Sequence, residues 1–197
     1  MLAGFHGYAE LAENEFGRLR SIDGSDRWTI VAVQGLHRFY RGRSQDVVAS
    51  WMTTQDRELA IADNIAYTSK AIESVANEWS VSPTLVLSGF SQGVAMAYRC
   101  ATSLSRPVRG VIALAGDIPP ELDQSRLSRI PFVLLGRGLK DEWYTPEKLA
   151  HDEERLRTAG VNAEVVTLPG GHEWSEEFRI AVSRFLATRT KEQPGSS

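Results

Sequence analysis

Short apolar runs alternate with longer amphipathic stretches along this chain. Six runs predict strands, at residues 1–6, 28–34, 84–89, 110–116, 131–136 and 163–169. Four of them are almost continuous in apolar residues, as strands buried on both faces of a parallel sheet are. The run 163–169 alternates more, which predicts an edge strand. Between the runs, Ile61, Ile65, Thr68, Ile72, Val75 and Trp79 recur at steps of four and three. That spacing places a largely apolar stripe on one helix face, and Pro83 forbids continuation. A second helix is predicted over 145–159, with Thr145 as N-cap, Pro146 in the first position and Gly160 just past the end. A last helix, about 175–188, carries Phe178, Ala181, Val182 and Phe185 on one side.

Strands alternating with helices predict an α/β fold with a mostly parallel sheet of about six strands. In such sheets functional residues gather in loops at the carboxyl ends of the strands. The 197 residues suit one domain, read as 1–190, with 191–197 (KEQPGSS) as a flexible tail.

Composition narrows the function classes. The chain is 42% hydrophobic and 24% charged, with a net charge of −3. No block of Lys and Arg is present to face phosphates, so nucleic acid is excluded as a main partner. The most basic stretch, HRFYRGR at 37–43, reads as a solvated surface loop, or more sharply as a loop that greets an anionic substrate. The single cysteine, Cys100, cannot form an internal disulfide, and its small neighbours predict a buried helix position. No run of about 18 apolar residues is present, so no transmembrane helix or stable membrane insertion is expected. No signal peptide is visible, so a cytoplasmic protein is expected. The opening MLAGFHG reads as the middle of a strand, which leaves room for a leader or earlier strands upstream.

The chemistry centres on Gly89-Phe90-Ser91-Gln92-Gly93. This box lies between a predicted strand and a predicted helix, the context a nucleophile elbow needs. A tight turn there strains the serine backbone and lifts its hydroxyl clear of the sheet. A serine hydroxyl needs a base, and the base needs a carboxylate to orient it. The expected chain order is Ser, then Asp or Glu, then His. Two histidines follow Ser91. His151 falls within the 145–159 helix beside Asp152, on what reads as a solvated face. His172 follows the last strand in a glycine-rich loop, which suits the base. Asp141, in the loop after the strand 131–136, suits the acid; Glu142 and Asp117 are its competitors. Backbone N–H groups of Gln92 and Tyr8 are the expected oxyanion donors. His6 precedes Ser91, against the usual order, and is expected to hold its loop by hydrogen bonds. Trp143 and Trp174 each lie two residues past a triad candidate and could wall a substrate pocket. No metal or organic cofactor is required.

The segments FHGYAE, SWMTTQDRELAIADNI, GFSQGVAMAYR, GVIALAGDIPPEL, GLKDEWYTP and PGGHEWSEE, in this order, resemble the phospholipase/carboxylesterase family of α/β-hydrolases, which includes the acyl-protein thioesterases. The resemblance implies the α/β-hydrolase fold without a large lid, with Ser91 as nucleophile, Asp141 as acid and His172 as base. It matches Tyr8 and Gln92 to the oxyanion positions and Trp51 to a tryptophan near the substrate. It implies hydrolysis of small carboxylic esters or thioesters through an acyl-enzyme. Lactonase or peptidase activity on the same fold, or an inactive hydrolase-fold binding protein, are the alternatives. Three departures stand out. Val94 replaces a usual glycine, Arg137-Gly138 replaces a usual His-Gly, and no residues are present for the antiparallel strands that members carry first. The first strand is therefore expected at a sheet edge, where it could pair with a second copy in a homodimer.

Overall fold

Each of the six apolar runs forms a strand, and every pairing between them is parallel. The computed structural model describes residues 1–79 and 81–189, so the tail expected at 191–197 lies outside the described residues. In chain order the elements begin with β1 (Leu2–Phe5), α1 (Ala12–Arg20), β2 (Ile30–Val33), β3 (His37–Tyr40), β4 (Val47–Ser50) and α2 (Arg57–Glu78). There follow β5 (Val86–Phe90), α3 (Gln92–Ser103), β6 (Gly110–Leu114), α4 (Gln124–Leu127) and β7 (Phe132–Gly138). The chain continues through α5 (Pro146–Thr158), β8 (Asn162–Leu168) and α6 (Glu176–Arg189). The sheet order is β2-β1-β5-β6-β7-β8.

Parallel neighbours need crossovers, and the crossover helices cover both faces of the sheet. On one face Leu87, Val111, Val133 and Leu135 pack with Ile72 of α2, Met96 and Cys100 of α3 and Leu156 of α5. On the other, Leu2, Val86, Ile112 and Leu134 pack with Leu19 of α1 and with Phe178, Val182 and Phe185 of α6. The period of two along each strand sends alternate side chains to opposite cores. This is why the central runs read as continuously apolar. The cap signals of α5 also hold: Thr145 accepts the N–H of Lys148, and Gly160 takes a φ of +72° just past the end.

Three expectations need correction. β1 is not an edge: β2 pairs with it on one side and β5 on the other. Its backbone groups are already engaged, so a second copy cannot add to it. The edges are β2 and β8, the latter as its alternating pattern predicts. The basic stretch 37–43 is a loop only at residues 41–43, in an exposed hairpin turn. His37–Tyr40 is β3, which pairs antiparallel with β4 in a separate two-stranded sheet. Its mixture of charged and aromatic residues gave no strand period. Trp79 is 62% exposed and lies past the end of α2 in extended backbone (φ −111°, ψ 137°), so the helix does not carry its ring onto the core stripe.

Candidate active site

The turn between β5 and α3 is tight enough to exclude side chains on both flanks. A Cβ on Gly89 would come within 2.5 Å of the Gly93 carbonyl oxygen, and one on Gly93 within 2.0 Å of the Phe5 carbonyl oxygen. Between them Ser91 sits at φ +53° and ψ −120°. A non-glycine residue there stores roughly 1–3 kcal/mol of strain. The strained residue is held by its N–H, which donates to the carbonyl of Leu114 at the end of β6 (2.9 Å).

Val94 fits opposite a glycine. It is fully buried, and Gly116 after β6 faces it: a Cβ on Gly116 would lie 2.8 Å from the Val94 Cβ. The side chain added in α3 occupies the space that the glycine opposite leaves free.

His172 comes to Ser91 from the loop after β8. Its Nε2 lies 2.8 Å from Ser91 Oγ, and its Nδ1 lies 2.9 Å from Asp141 Oδ2. Asp141 is 3% exposed. Its Oδ1 accepts the N–H groups of Trp143 and Tyr144, each at 2.9 Å. In the tautomer with Nδ1–H donating to Asp141, the Nε2 lone pair is free to accept the serine hydroxyl. The competing acids stand elsewhere: Glu142 is exposed, and Asp117 pairs with Lys148 at 3.0 Å. His151 is exposed on α5, as its helix position predicts.

The departure at Arg137 braces the acid loop. This buried guanidinium donates from Nε to the Tyr144 carbonyl (2.6 Å) and from Nη2 to the Asp141 carbonyl (3.1 Å). Gly138 lets that loop approach the histidine loop, since a Cβ there would lie 2.1 Å from the Gly171 carbonyl oxygen. Asp152 adds a further tie. Its Oδ2 accepts both the Ile118 N–H and the Tyr144 hydroxyl, each at 3.0 Å. Burial holds its pKa above the ordinary carboxylate value.

The loop after β1 carries Tyr8. His6, fully buried, donates from Nδ1 to the Gly7 carbonyl (2.7 Å) and accepts the Gly35 N–H at Nε2 (2.9 Å). Burial lowers its pKa, so it holds the loop as the neutral ring. The Gly7 N–H donates to Glu10 Oε2 (2.8 Å), and Arg18 pairs with both oxygens of Glu10. The β3–β4 hairpin closes over this loop: the Ala9 N–H donates to Ala49, Phe39 stacks against Tyr8, and Arg41 donates to the Ala9 carbonyl. The Gln92 side chain, whose role the sequence did not reveal, pins the next loop. Its Oε1 accepts the Trp51 N–H (2.9 Å), and its Nε2 donates to the Met52 carbonyl (3.0 Å). The N–H of Gln92 opens α3, where no intrahelical acceptor exists.

A cavity of about 600 Å³ opens beside Ser91, within the range of ligand sites. Tyr8, Gln92, Trp143 and His172 line it. Trp143 is 76% exposed and stands at its wall. The other two expected substrate tryptophans lie outside this lining. Trp51 is fully buried, donating from Nε1 to the His6 carbonyl (2.8 Å), so it pegs the loop from beneath. Trp174 packs edge-on against Phe178 at 5.0 Å. Cys100 is buried with its thiol pushed up to about 12, chiefly by burial, and is inert. Among the described residues no three His, Cys, Asp or Glu side chains gather to hold a metal ion, and no helix is long and apolar enough to cross a membrane.

A parallel sheet with its serine turn at the carboxyl end of a central strand defines an α/β-hydrolase. Within that fold, a family model described as Phospholipase/Carboxylesterase matches residues 45–190. The chain belongs to this family of carboxylesterase-like hydrolases. Arabidopsis thaliana SOBER1 superposes with a TM-score of 0.77 at 17% identity, over 96% of this chain and 98% of that one. A carboxylesterase from Mesorhizobium loti superposes with a TM-score of 0.78 at 20% identity, over 95% and 88%. The Bacillus cereus carboxylesterase gives 0.72 at 14%, over 96% and 88%. At these identities the likeness is one of fold. No curated protein matches the chain in sequence.

Proposed function

We propose that the protein is a serine hydrolase that cleaves carboxylic esters or thioesters through an acyl-enzyme. The observation that carries this reading is the unbroken chain Asp141–His172–Ser91, with links of 2.9 and 2.8 Å ending on a serine at φ +53°. Ser91 Oγ attacks the acyl carbonyl as His172 Nε2 takes its proton. The imidazolium that forms faces Asp141, which also accepts two backbone N–H groups and is held in place by them. The oxyanion of the tetrahedral intermediate takes hydrogen bonds from the N–H groups of Tyr8 and Gln92. Collapse expels the alcohol or thiol, which leaves with the proton from His172. Water then attacks the acyl-serine, again with His172 as base, and releases the acid.

Ser91→Ala is expected to lower kcat on a p-nitrophenyl ester by roughly 10³-fold or more, with the thermal unfolding transition retained. A fluorophosphonate probe should label the wild-type protein at Ser91 and leave the variant unlabelled. Activity retained in Ser91→Ala overturns the reading.

A further inference from the structure

α3 runs away from Ser91 with Ala95 and then Arg99 lining the cavity. Positions four apart share one helix face. At about 1.5 Å per residue, the Arg99 Cα stands roughly 12 Å beyond that of Ser91, and its side chain leans back toward the start of the helix. Arg99 therefore lines the same cavity as the serine.

Its guanidinium is 1% exposed and poorly satisfied. Its Nε and Nη2 both crowd onto one oxygen, Glu121 Oε1, each at 2.7 Å. Only the Nε contact has hydrogen-bond geometry, and Nη2 is buried with no hydrogen-bond partner. Its Nη1 lies 3.7 Å from Met52 Sδ, a weak acceptor. Arg57, also in the cavity lining, directs its own Nη1 at the same sulfur from 3.0 Å. Two cations thus converge on a neutral thioether that balances neither. Burial lowers the pKa of Arg99, Arg57 lowers it further, and Glu121 acts against both. The other lining charges, Asp117 and Lys148, neutralise each other at 3.0 Å. Glu121 is half-exposed, and Asp56 and Glu58 share an adjoining hollow with Arg57 on its outer side. A buried donor held only by an ion contact without hydrogen-bond geometry leaves room for an aligned acceptor.

We propose that Arg57 and Arg99 form an anion-binding subsite, and that the ester or thioester cleaved at Ser91 carries a carboxylate or phosphate several bonds from its carbonyl. The substrate class rests on the serine-hydrolase reading above. A carboxylate or phosphate bridging Arg99 Nη2 and Arg57 supplies an aligned acceptor, since two oxygens of either group match the forked geometry of a guanidinium.

The test compares p-nitrophenyl hydrogen adipate with its neutral match, p-nitrophenyl methyl adipate, and with a phosphate-ended ester of similar length. The wild-type protein is expected to favour an anionic ester by about tenfold or more in kcat/KM. That preference should fall as salt is raised. Arg57→Gln should cut the preference by about fivefold, and Arg99→Gln, where it folds, should cut it further. The two anionic arms separate a carboxylate site from a phosphate site. A wild-type protein that cleaves the neutral ester at least as fast as both anionic ones overturns the subsite. So does Arg57→Gln with its preference intact. Failure of the hydrolase reading has a different signature: no ester is cleaved and Ser91 is not labelled. Calorimetry on the Ser91→Ala protein then decides the subsite alone. Monomethyl adipate binding that is lost on adding Arg57→Gln supports it, and binding no tighter than that of dimethyl adipate overturns it.

Discussion

Two buried carboxylates flank the sheet and live in opposite surroundings. Asp141, after β7, accepts two backbone N–H groups on one oxygen and faces the His172 ring with the other. Glu15, on α1, is fully buried against β1, where Gly4 makes room for it: a Cβ on Gly4 would come within 2.6 Å of Glu15 Cγ. It accepts only the Ser88 hydroxyl at 3.1 Å and one longer contact from Arg18 at 3.3 Å. Burial outweighs these donors and pushes its pKa up to about 7. The two sites teach that burial alone does not define a working carboxylate. What separates them is the donor set: Asp141 has two backbone N–H groups and the ring at 2.9 Å, while Glu15 has one hydroxyl and one longer guanidinium contact.

The comparison breaks hardest at Asp141. Asn at this position still accepts from the Trp143 and Tyr144 N–H groups through its oxygen, but turns its NH₂ toward His172. The ring then keeps its proton on Nε2 and cannot accept the serine hydroxyl. Steady-state kinetics should show kcat reduced by roughly 10³ to 10⁴-fold with the fold intact.

Arg18 is the next lever. It pairs with Glu10 and Glu15 and lies over the Phe90 ring at 4.3 Å, while Phe90 packs against His172 at 5.2 Å. Arg18→Met strands both carboxylates and should lower stability in urea at pH 8 by about 3 kcal/mol. The loss should be smaller at pH 5, where Glu15 is protonated. An equal loss at both pH values would show that Glu15 carries no charge on Arg18.

Glu15→Gln sharpens the contrast in the other direction. A rise from the ordinary 4.5 to about 7 means that the folded state holds its proton more tightly than the unfolded chain does. Below pH 4.5 both states are protonated and the variant should match the wild type. As pH rises from 4.5 to 7 the wild type loses stability relative to the variant. Above pH 7 the gap should level off at about 3 kcal/mol in favour of Gln. Denaturation curves at pH 4, 6 and 8 read this directly.

The smallest effect is expected at Glu142, one residue from Asp141 and exposed. Glu142→Gln should leave kcat within about twofold. A collapse like that of Asp141→Asn would move the acid role to the neighbour.

Much of this was legible in the sequence because it depends on local period and order. Short apolar runs, four of them almost continuous, marked the six strands, and the Thr145, Pro146 and Gly160 signals marked the bounds of α5. Ser91, Asp141 and His172 could be picked out because each follows a strand, and a parallel sheet brings all carboxyl ends of its strands to one side. The β3–β4 hairpin was not legible, since β3 mixes charged and aromatic residues without a period and β4, Val47–Ser50, is only four residues long. Neither was the place of β1, because chain order does not say that β2 turns back to lie outside it.

What the sequence by itself determined was the alternation of strand and helix, the serine turn and the order of its partners. These follow from residues near one another in the chain. The tertiary structure alone decided which tryptophan meets the cavity and which supports a loop from beneath. It decided that Gln92 pins residues 51 and 52, that Gly116 makes room for Val94, and that Glu15 lies buried under Ser88. Each of those contacts joins residues more than 20 positions apart, and only the packing of whole elements brings them together.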